Sequence, residues 1–449
     1  PHRRHDTVPR SGWGTFFFLH RLADPSAGHV PLFEKIMIGN RVVVTGLSAL
    51  TPIGNTLAES WANLVAGVSG IGPITLFDAS EFDAKIAGEL KNFDPTAYVG
   101  VKDAKRMDRF VQIAVAAGKQ LMEDCGLVMD EETAPEVGVL LGCGLGGLST
   151  IEDFHSKLLK SGPGRISPFY IPMLIANMAS GQISIQTGAK GPNLVTTSAC
   201  ASATHAIGYA FSDIKLGRVK ACITGGVEST ITPMGVSGFT AMKALSTRND
   251  EPTKASRPFD ADRTGFVIGE GAGLLMLEEL EHAKKRGAKI YAEVVGYGAS
   301  GDAYHIAAPE ESGTGMAQAM KCALRDAELA PDRITFVNAH GTSTKLNDKT
   351  ETKAIKAVFG DHAYKMPITA NKSMIGHLLG AAGGAEAVFT AMSLVTGIVP
   401  GTINQDTPDP DCDLDYTPNG SREMALEYGI SNSFGFGGTN ASIILRSFK

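Results

Sequence analysis

The chain has 449 residues, a length that suits two to three average domains or two halves sharing one core. Hydrophobic residues make up 43% and charged residues 20%, the balance of a globular protein. The formal charge of −6 offers no basic field for nucleic acid, and no apolar run is long enough to argue for a membrane span. The six cysteines are scattered singly with no C-x-x-C pair, which disfavours a zinc ribbon and suits free thiols in a reducing cytoplasm.

Residues 1–36 differ from the rest. Pro1-His-Arg-Arg-His5 is basic, and Trp13-Gly-Thr-Phe-Phe-Phe-Leu19 is too short an apolar stretch for a good secretory signal. Asp6, Asp24 and Glu34 speak against an organelle presequence, which is poor in acids. The segment is set aside as an N-terminal extension without assigned role, and Met37 is a candidate natural start. From there the pattern predicts strands at 41–46, 136–141, 221–226 and 273–278, and helices at 56–66, 107–125 and 279–286. A further helix follows Cys200 and runs to about Lys215. A second series begins with a strand at 290–296. It continues with a helix at 315–328, a strand at 334–338 and a helix at 352–359. A short strand at 368–371, a helix at 381–396 and closing strands at 431–433 and 441–445 complete it. Alternating strands and helices predict an α/β fold with central sheets. The similar order suggests a duplication, with halves spanning 37–290 and 291–449.

Thr196-Thr-Ser-Ala-Cys200-Ala-Ser-Ala-Thr-His205 places a cysteine among small residues, between a strand and a helix. Near helical N–H groups a thiol is expected to have a lowered pKa and to act as a nucleophile. A lone buried cysteine is more often structural. His340, in His340-Gly-Thr-Ser-Thr, and His377, in Asn371-Lys372-Ser-Met-Ile-Gly-His377, shift the balance. Each sits in a Gly/Ser/Thr-rich turn, and His340 lies where open α/β sheets place ligands. No third histidine or carboxylate stands at zinc spacing, so no metal site is expected. No G-x-S-x-G elbow follows a strand, which leaves a serine hydrolase without a nucleophile.

Gly142-Cys-Gly144-Leu-Gly-Gly147 matches G-x-G-x-x-G, but it comes late in its half and lacks the acidic residue of a dinucleotide site. Tight glycine packing is the preferred reading. Gly435-Phe436-Gly-Gly-Thr-Asn440 is a loop whose N–H groups can approach a substrate. Lys102, Lys105, Arg106 and Arg109 follow helical spacing and predict one basic stripe, a docking patch for an acidic partner.

Thr197-Ser-Ala-Cys-Ala-Ser, His340-Gly-Thr-Ser-Thr, Asn371-Lys-Ser-Met-Ile-Gly-His and Asn432-Ser-Phe-Gly-Phe-Gly-Gly-Thr-Asn stand in one order. Together they resemble the elongating β-ketoacyl-acyl-carrier-protein synthases, the type II enzymes above all, from about Arg41 to Ile444. Two histidines set these apart from initiating synthases and from thiolases. The resemblance implies a thiolase-like αβαβα fold of two similar halves, a cytoplasmic homodimer, acyl carrier protein as partner, and no cofactor. It implies a fatty-acid-elongating acyltransferase in which Cys200 carries the acyl chain while His340 and His377 stabilise the malonyl-derived enolate. Lys372 orients the histidine side with Glu386, and the N–H groups of Cys200 and Phe436 hold the acylation oxyanion. Thr342 and Thr344 bind the pantetheine arm, Phe436 and Phe239 gate the acyl channel, and Leu145 narrows the acyl pocket. Lys102, Lys105, Arg106 and Lys243 form the docking patch. The family's His-Met-Thr reads here His305-Ile306-Ala307-Ala308, which removes one expected hydrogen bond to the arm, about 0.5–1.5 kcal/mol. A non-catalytic subunit of a polyketide-type synthase and a coenzyme A-dependent thiolase are the competing readings.

Overall fold

In the computed structural model, which describes residues 39–418 and 420–449, ten strands form one hydrogen-bonded sheet. Expectations for residues 1–36 and for Met37 lie outside the described residues. The strands are β1 (Val42–Leu50), β2 (Val137–Gly142), β3 (Asn193–Thr196), β4 (Ala221–Glu228) and β5 (Gly271–Glu279). They continue with β6 (Ala292–Gly301), β7 (Phe336–Asn338), β8 (Ile368–Thr369), β9 (Tyr428–Gly435) and β10 (Thr439–Ser447). Their order across the sheet is β8-β7-β9-β10-β6-β1-β5-β4-β2-β3.

That order is symmetric about the β6–β1 pair. Outward from it, each half pairs antiparallel twice and then parallel twice: β1-β5-β4-β2-β3 on one side, β6-β10-β9-β7-β8 on the other. The chain therefore has two similar halves. Every residue of β1 and β4 is buried, so these strands are covered on both faces, as their continuous small and apolar sequences require.

Helices α1 (Arg109–Cys125) and α2 (Met178–Thr187) cover the outside of the first half. Helices α5 (Thr314–Asp326) and α6 (Lys345–Phe359) cover the second. Between the halves lie α3 (Ser202–Lys215) and α7 (Ala382–Thr396), which touch each other and strands of both halves. The largest apolar cluster is centred there, with Ile207, Phe211, Leu275, Val388, Phe389 and Ile443 among its members. Glycine permits this middle layer. A Cβ on Gly384 would stand 2.4 Å from Gly273 O, and one on Gly383 would stand 2.0 Å from Thr204 Oγ1. The stretch Leu379–Thr396 is long and apolar enough to cross a membrane, but 83% of it is buried in this layer.

Several elements differ from expectation, α2 and a helix over Leu148–Ser161 among them, neither of which was expected. Helix α6 begins at Lys345 rather than 352, because Thr344 caps it by accepting the Asn347 N–H, and Asp348 and Glu351 turn inward to accept backbone N–H groups. The basic stripe is broken: Val101–Ala104 is one helical turn, and α1 starts afresh at Arg109 with Asp108 as its cap. Lys102, Lys105 and Arg106 are exposed, whereas Arg109 turns inward onto the buried Glu270 at 2.6 and 2.7 Å. Helix α4 (Pro233–Ala241), capped by Thr232, was not expected; it carries Phe239.

Candidate active site

The chain leaves β3 through Thr197, whose hydroxyl donates to Cys143 O at 2.9 Å. Ala199 then takes φ +50°, a left-handed conformation that costs a non-glycine residue about 1–2 kcal/mol. The turn throws Cys200 inward, just before α3 begins at Ser202. It is held by Ser202 Oγ, which accepts from Ser198 N at 2.9 Å, and by Thr439 Oγ1, which donates to Ser198 O at 2.9 Å. Ser198 Oγ also meets His205 Nδ1 at 2.6 Å. The β9–β10 hairpin closes over this turn. A Cβ on Gly435 would lie 3.1 Å from Cys200 N, and the Phe436 N–H reaches the thiol.

His340 follows β7. The buried Glu351 carboxylate accepts from the N–H groups of His340 and Gly341, both at 2.8 Å. Burial raises that carboxyl to about 7. Lys372, which opens the helical turn Lys372–Ile375 after β8, is 1% exposed and ion-paired with Glu386. Its ammonium donates to His340 O at 2.7 Å and approaches His340 Nδ1 at 3.3 Å. Burial also raises Glu386, against the pull of the ammonium.

His377 Nε2 lies 2.9 Å from Cys200 Sγ, and its Nδ1 accepts the Leu379 N–H at 3.2 Å. The two imidazoles stand edge to face, centroids 5.3 Å apart. Burial and the Lys372 charge hold both well below the usual histidine range, so both are neutral. A neutral ring carries one proton. With each Nδ1 facing an N–H donor, that proton sits on Nε2 in both rings. Two N–H donors therefore converge beside the thiol.

The ligating atoms of Cys200, His340 and His377 lie within 4.8 Å of one another, a spread a metal ion could use. The donor chemistry disfavours it. An ion needs both Nε2 lone pairs, which would drive the ring protons onto nitrogens already facing an N–H and an ammonium. The ammonium would also repel the ion.

The expected lowered thiol pKa is corrected. Burial pushes Cys200 up to about 12, while Lys372 and the Phe436 N–H pull only partly against it. At rest the Cys200 side chain is a neutral thiol.

Cys200, His340 and His377 open into a cavity of about 400 Å³ whose surface is mostly apolar. Thr342, Thr344, Phe239, Phe436 and Lys243 also line it. Thr342 and Thr344 hydroxyls meet at 2.9 Å, and the Phe239 and Phe436 rings lie 6.5 Å apart. Leu145 is not brought there: it is 50% exposed and does not line the cavity. Ala307 and Ala308 line the wall, with their N–H groups on His305 Nδ1.

The glycine-rich loop at 142–147 is packed, as expected. A Cβ on Gly142 would stand 2.2 Å from Ala203 N. Its N–H groups are already taken by the buried Glu228 carboxyl, which accepts from Gly144, Leu145 and Gly146 and which burial raises to about 7 against those bonds. Sequence reasoning missed Glu228, Glu351 and Asp348. Asp348 and Glu351 had a signal: two acids one helical turn apart, directly after the His340 turn.

Two family models cover most of the chain: "Beta-ketoacyl synthase, N-terminal domain" over 39–283 and "Beta-ketoacyl synthase, C-terminal domain" over 291–406. The chain belongs to the β-ketoacyl synthase family. It is a ketosynthase, a condensing enzyme of the acyltransferase class. It is similar to the 3-oxoacyl-[acyl-carrier-protein] synthase 2 of Synechocystis sp., 54% identical over 91% of this chain and 98% of the relative. The synthase 2 of Coxiella burnetii is 51% identical over 90% and 98%. Among solved structures, a β-ketoacyl synthase from Burkholderia phymatum superposes with a TM-score of 0.85 at 37% identity, covering 91% of this chain and all of that one. The ishigamide ketosynthase/chain length factor gives 0.84 at 36%, over 92% and 100%.

Proposed function

We propose that this ketosynthase is a 3-oxoacyl-[acyl-carrier-protein] synthase that lengthens fatty acyl chains by two carbons. The observation that carries the reading is the neutral, double N–H donor pair of His340 and His377 converging beside Cys200. Acyl carrier protein delivers an acyl thioester. Cys200 sulphur attacks its carbonyl, the N–H groups of Cys200 and Phe436 hold the oxyanion, and the thiol proton ends on the departing pantetheine sulphur. Malonyl-carrier protein then enters, and breaking its C–CO2 bond leaves negative charge on the thioester oxygen. The His340 and His377 Nε2–H groups stabilise that enolate. Its carbon attacks the acyl-cysteine carbonyl and expels the Cys200 thiolate, which regains a proton. No group beyond these side chains and the carrier's arm is needed.

Lys372, with Glu386, keeps His340 neutral and oriented. Thr342 and Thr344 face the pantetheine arm, Phe239 and Phe436 flank the acyl entrance, and Lys102, Lys105, Arg106 and Lys243 offer positive charge to the acidic carrier. We take the enzyme to be a cytoplasmic homodimer, with Leu145 on a surface that the second copy can cover.

The test is peptide mass spectrometry after mixing the protein with acyl-carrier thioesters and no malonyl donor. An adduct on the Cys200 peptide is expected, and none with Cys200→Ala. An adduct elsewhere would overturn Cys200 as the nucleophile, and none from folded wild-type protein would overturn the reading in favour of a non-catalytic subunit.

A further inference from the structure

Glu228 is fully buried at the end of β4 and takes no part in the chemistry above. Four backbone N–H groups converge on its carboxylate. Gly144 donates at 2.6 Å, Leu145 at 3.2 Å, Gly146 at 3.3 Å and Gly380 at 3.3 Å. Cys143 Sγ lies 3.6 Å away. The first three donors belong to the loop after β2. The fourth lies three residues beyond His377. One carboxylate therefore bolts the loop at 143–146 to the turn that follows the second histidine.

That turn is strained where it does its work. Leu379 is buried at φ +49°, a left-handed conformation disfavoured for a branched side chain. This conformation aims the Leu379 N–H back at His377 Nδ1. The next N–H in the chain is the one that Glu228 accepts. The His377 backbone is pinned separately, its N–H on Val267 O at 2.7 Å and its carbonyl on Gly269 N at 2.9 Å. With its backbone fixed, the ring depends on Leu379 for its choice of tautomer.

We propose that Glu228 is a positioning residue for the condensation: by seating Gly380 it holds the strained Leu379 N–H on His377 Nδ1, and so keeps the ring proton on Nε2, facing Cys200 and the enolate. The inference depends on the role given to His377 above. Glutamine at 228 has the same size but replaces one acceptor oxygen with an N–H2 group that faces backbone donors. The turn would then relax, and the Nε2–H donor would be lost in part of the molecules.

The test uses Glu228→Gln and a second, gentler variant, Gly144→Ala. A Cβ at 144 would stand 2.6 Å from Glu228 Oε2, with its next neighbour 3.5 Å away, so it displaces the carboxylate without removing it. The first readout is the side-chain ¹⁵N spectrum of histidine-labelled protein, with His377→Ala to assign the ring. The second is carbon dioxide release from malonyl-carrier protein. The expected result for Glu228→Gln is a His377 ring shared between tautomers. Release should fall about 10- to 100-fold, less than the 10²–10³ of deleting a donor outright. KM for malonyl-carrier protein should stay within about twofold, because the arm-facing Thr342 and Thr344 are untouched. Gly144→Ala should move both readouts the same way by a smaller factor, and it decides the matter if Glu228→Gln does not fold. A folded variant with an unmoved His377 spectrum and unchanged release would overturn the proposal and leave Glu228 a packing residue. The spectrum needs no turnover, so it decides this inference even if the wild-type protein proves inert towards malonyl-carrier protein.

Discussion

His340→Ala separates the two half-reactions. The substitution removes one of two Nε2–H donors and little else. Lys372 keeps its bond to the residue 340 carbonyl at 2.7 Å and its pair with Glu386, and the Glu351 carboxylate keeps the N–H groups of residues 340 and 341. Deleting one preorganised donor to a developing oxyanion costs about 2.7–4 kcal/mol, or 10²–10³ in rate. Decarboxylation of malonyl-carrier protein should fall by that factor. Acylation of Cys200 should fall by less than about tenfold, because its oxyanion is served by backbone N–H groups rather than by His340. His377→Ala should damage both, since Nε2 of that ring is 2.9 Å from the reacting sulphur. The assay pairs carbon dioxide release with mass-spectrometric labelling of Cys200 in the same preparation. Emptying a buried ring costs about 2–4 kcal/mol of stability, so a melting curve must accompany it. Folded His340→Ala that releases carbon dioxide within threefold of wild type would refute the enolate role.

Further outcomes follow from burial and charge. With its pKa raised to about 12, the Cys200 thiol should be alkylated by iodoacetamide about tenfold faster per pH unit from pH 7 to 9; a plateau near pH 7 would show a resident thiolate. Lys372→Met strips the ammonium from the buried Glu386, whose pKa is already raised to about 7 and would rise further. Stability tied to a raised carboxyl is full at low pH and lost as pH climbs to the folded value. In urea titrations the variant should therefore lie nearest wild type at pH 6 and fall behind by about 1.4 kcal/mol per unit above pH 7; a gap independent of pH would contradict the pairing. Gly142→Ala drives a Cβ into the backbone of α3, 2.2 Å from Ala203 N, and should cost about 3 kcal/mol or more in a thermal melt.

The α/β class, most strand positions and the meeting of Cys200, His340 and His377 at one cavity are legible because small-residue turns at strand ends are rare enough to stand out. Other features depend on contacts between segments far apart in the chain. The thiol's pKa was read from its place near a helix start, and burial, which no local pattern reports, reversed the sign. Glu228 reads as an ordinary acid because its partners are backbone N–H groups 82–152 residues away. Helix α6 begins earlier than its pattern predicts because Lys345-Leu-Asn-Asp reads as a polar loop, while in the fold Asp348 and Glu351 turn inward. The basic stripe failed because helical spacing was assumed across Asp108, which caps a new helix.

The duplicated topology explains how one chain brings a nucleophile and two donors together. Strands β3 and β8 occupy equivalent places at the two outer edges, and α3 and α7, which follow them, pack together in the middle layer. The loops leading into these two helices are therefore brought face to face: one carries Cys200 and the other Lys372 and His377. Strands β2 and β7 are also equivalent, and each ends in a turn whose N–H groups are taken by a buried carboxylate, Glu228 in the first half and Glu351 in the second. Only the second of these turns carries a histidine. The ends of β4 and β9 complete the pattern. At one stands Glu228; at the other stand Gly435 and Phe436, whose N–H faces the thiol. One copy of the strand-end geometry is thus open to substrate, while its counterpart is filled by Glu228 and used to hold the open one in place. A substitution at Glu228 should therefore act on His377, although the two side chains share no direct hydrogen bond among the described residues.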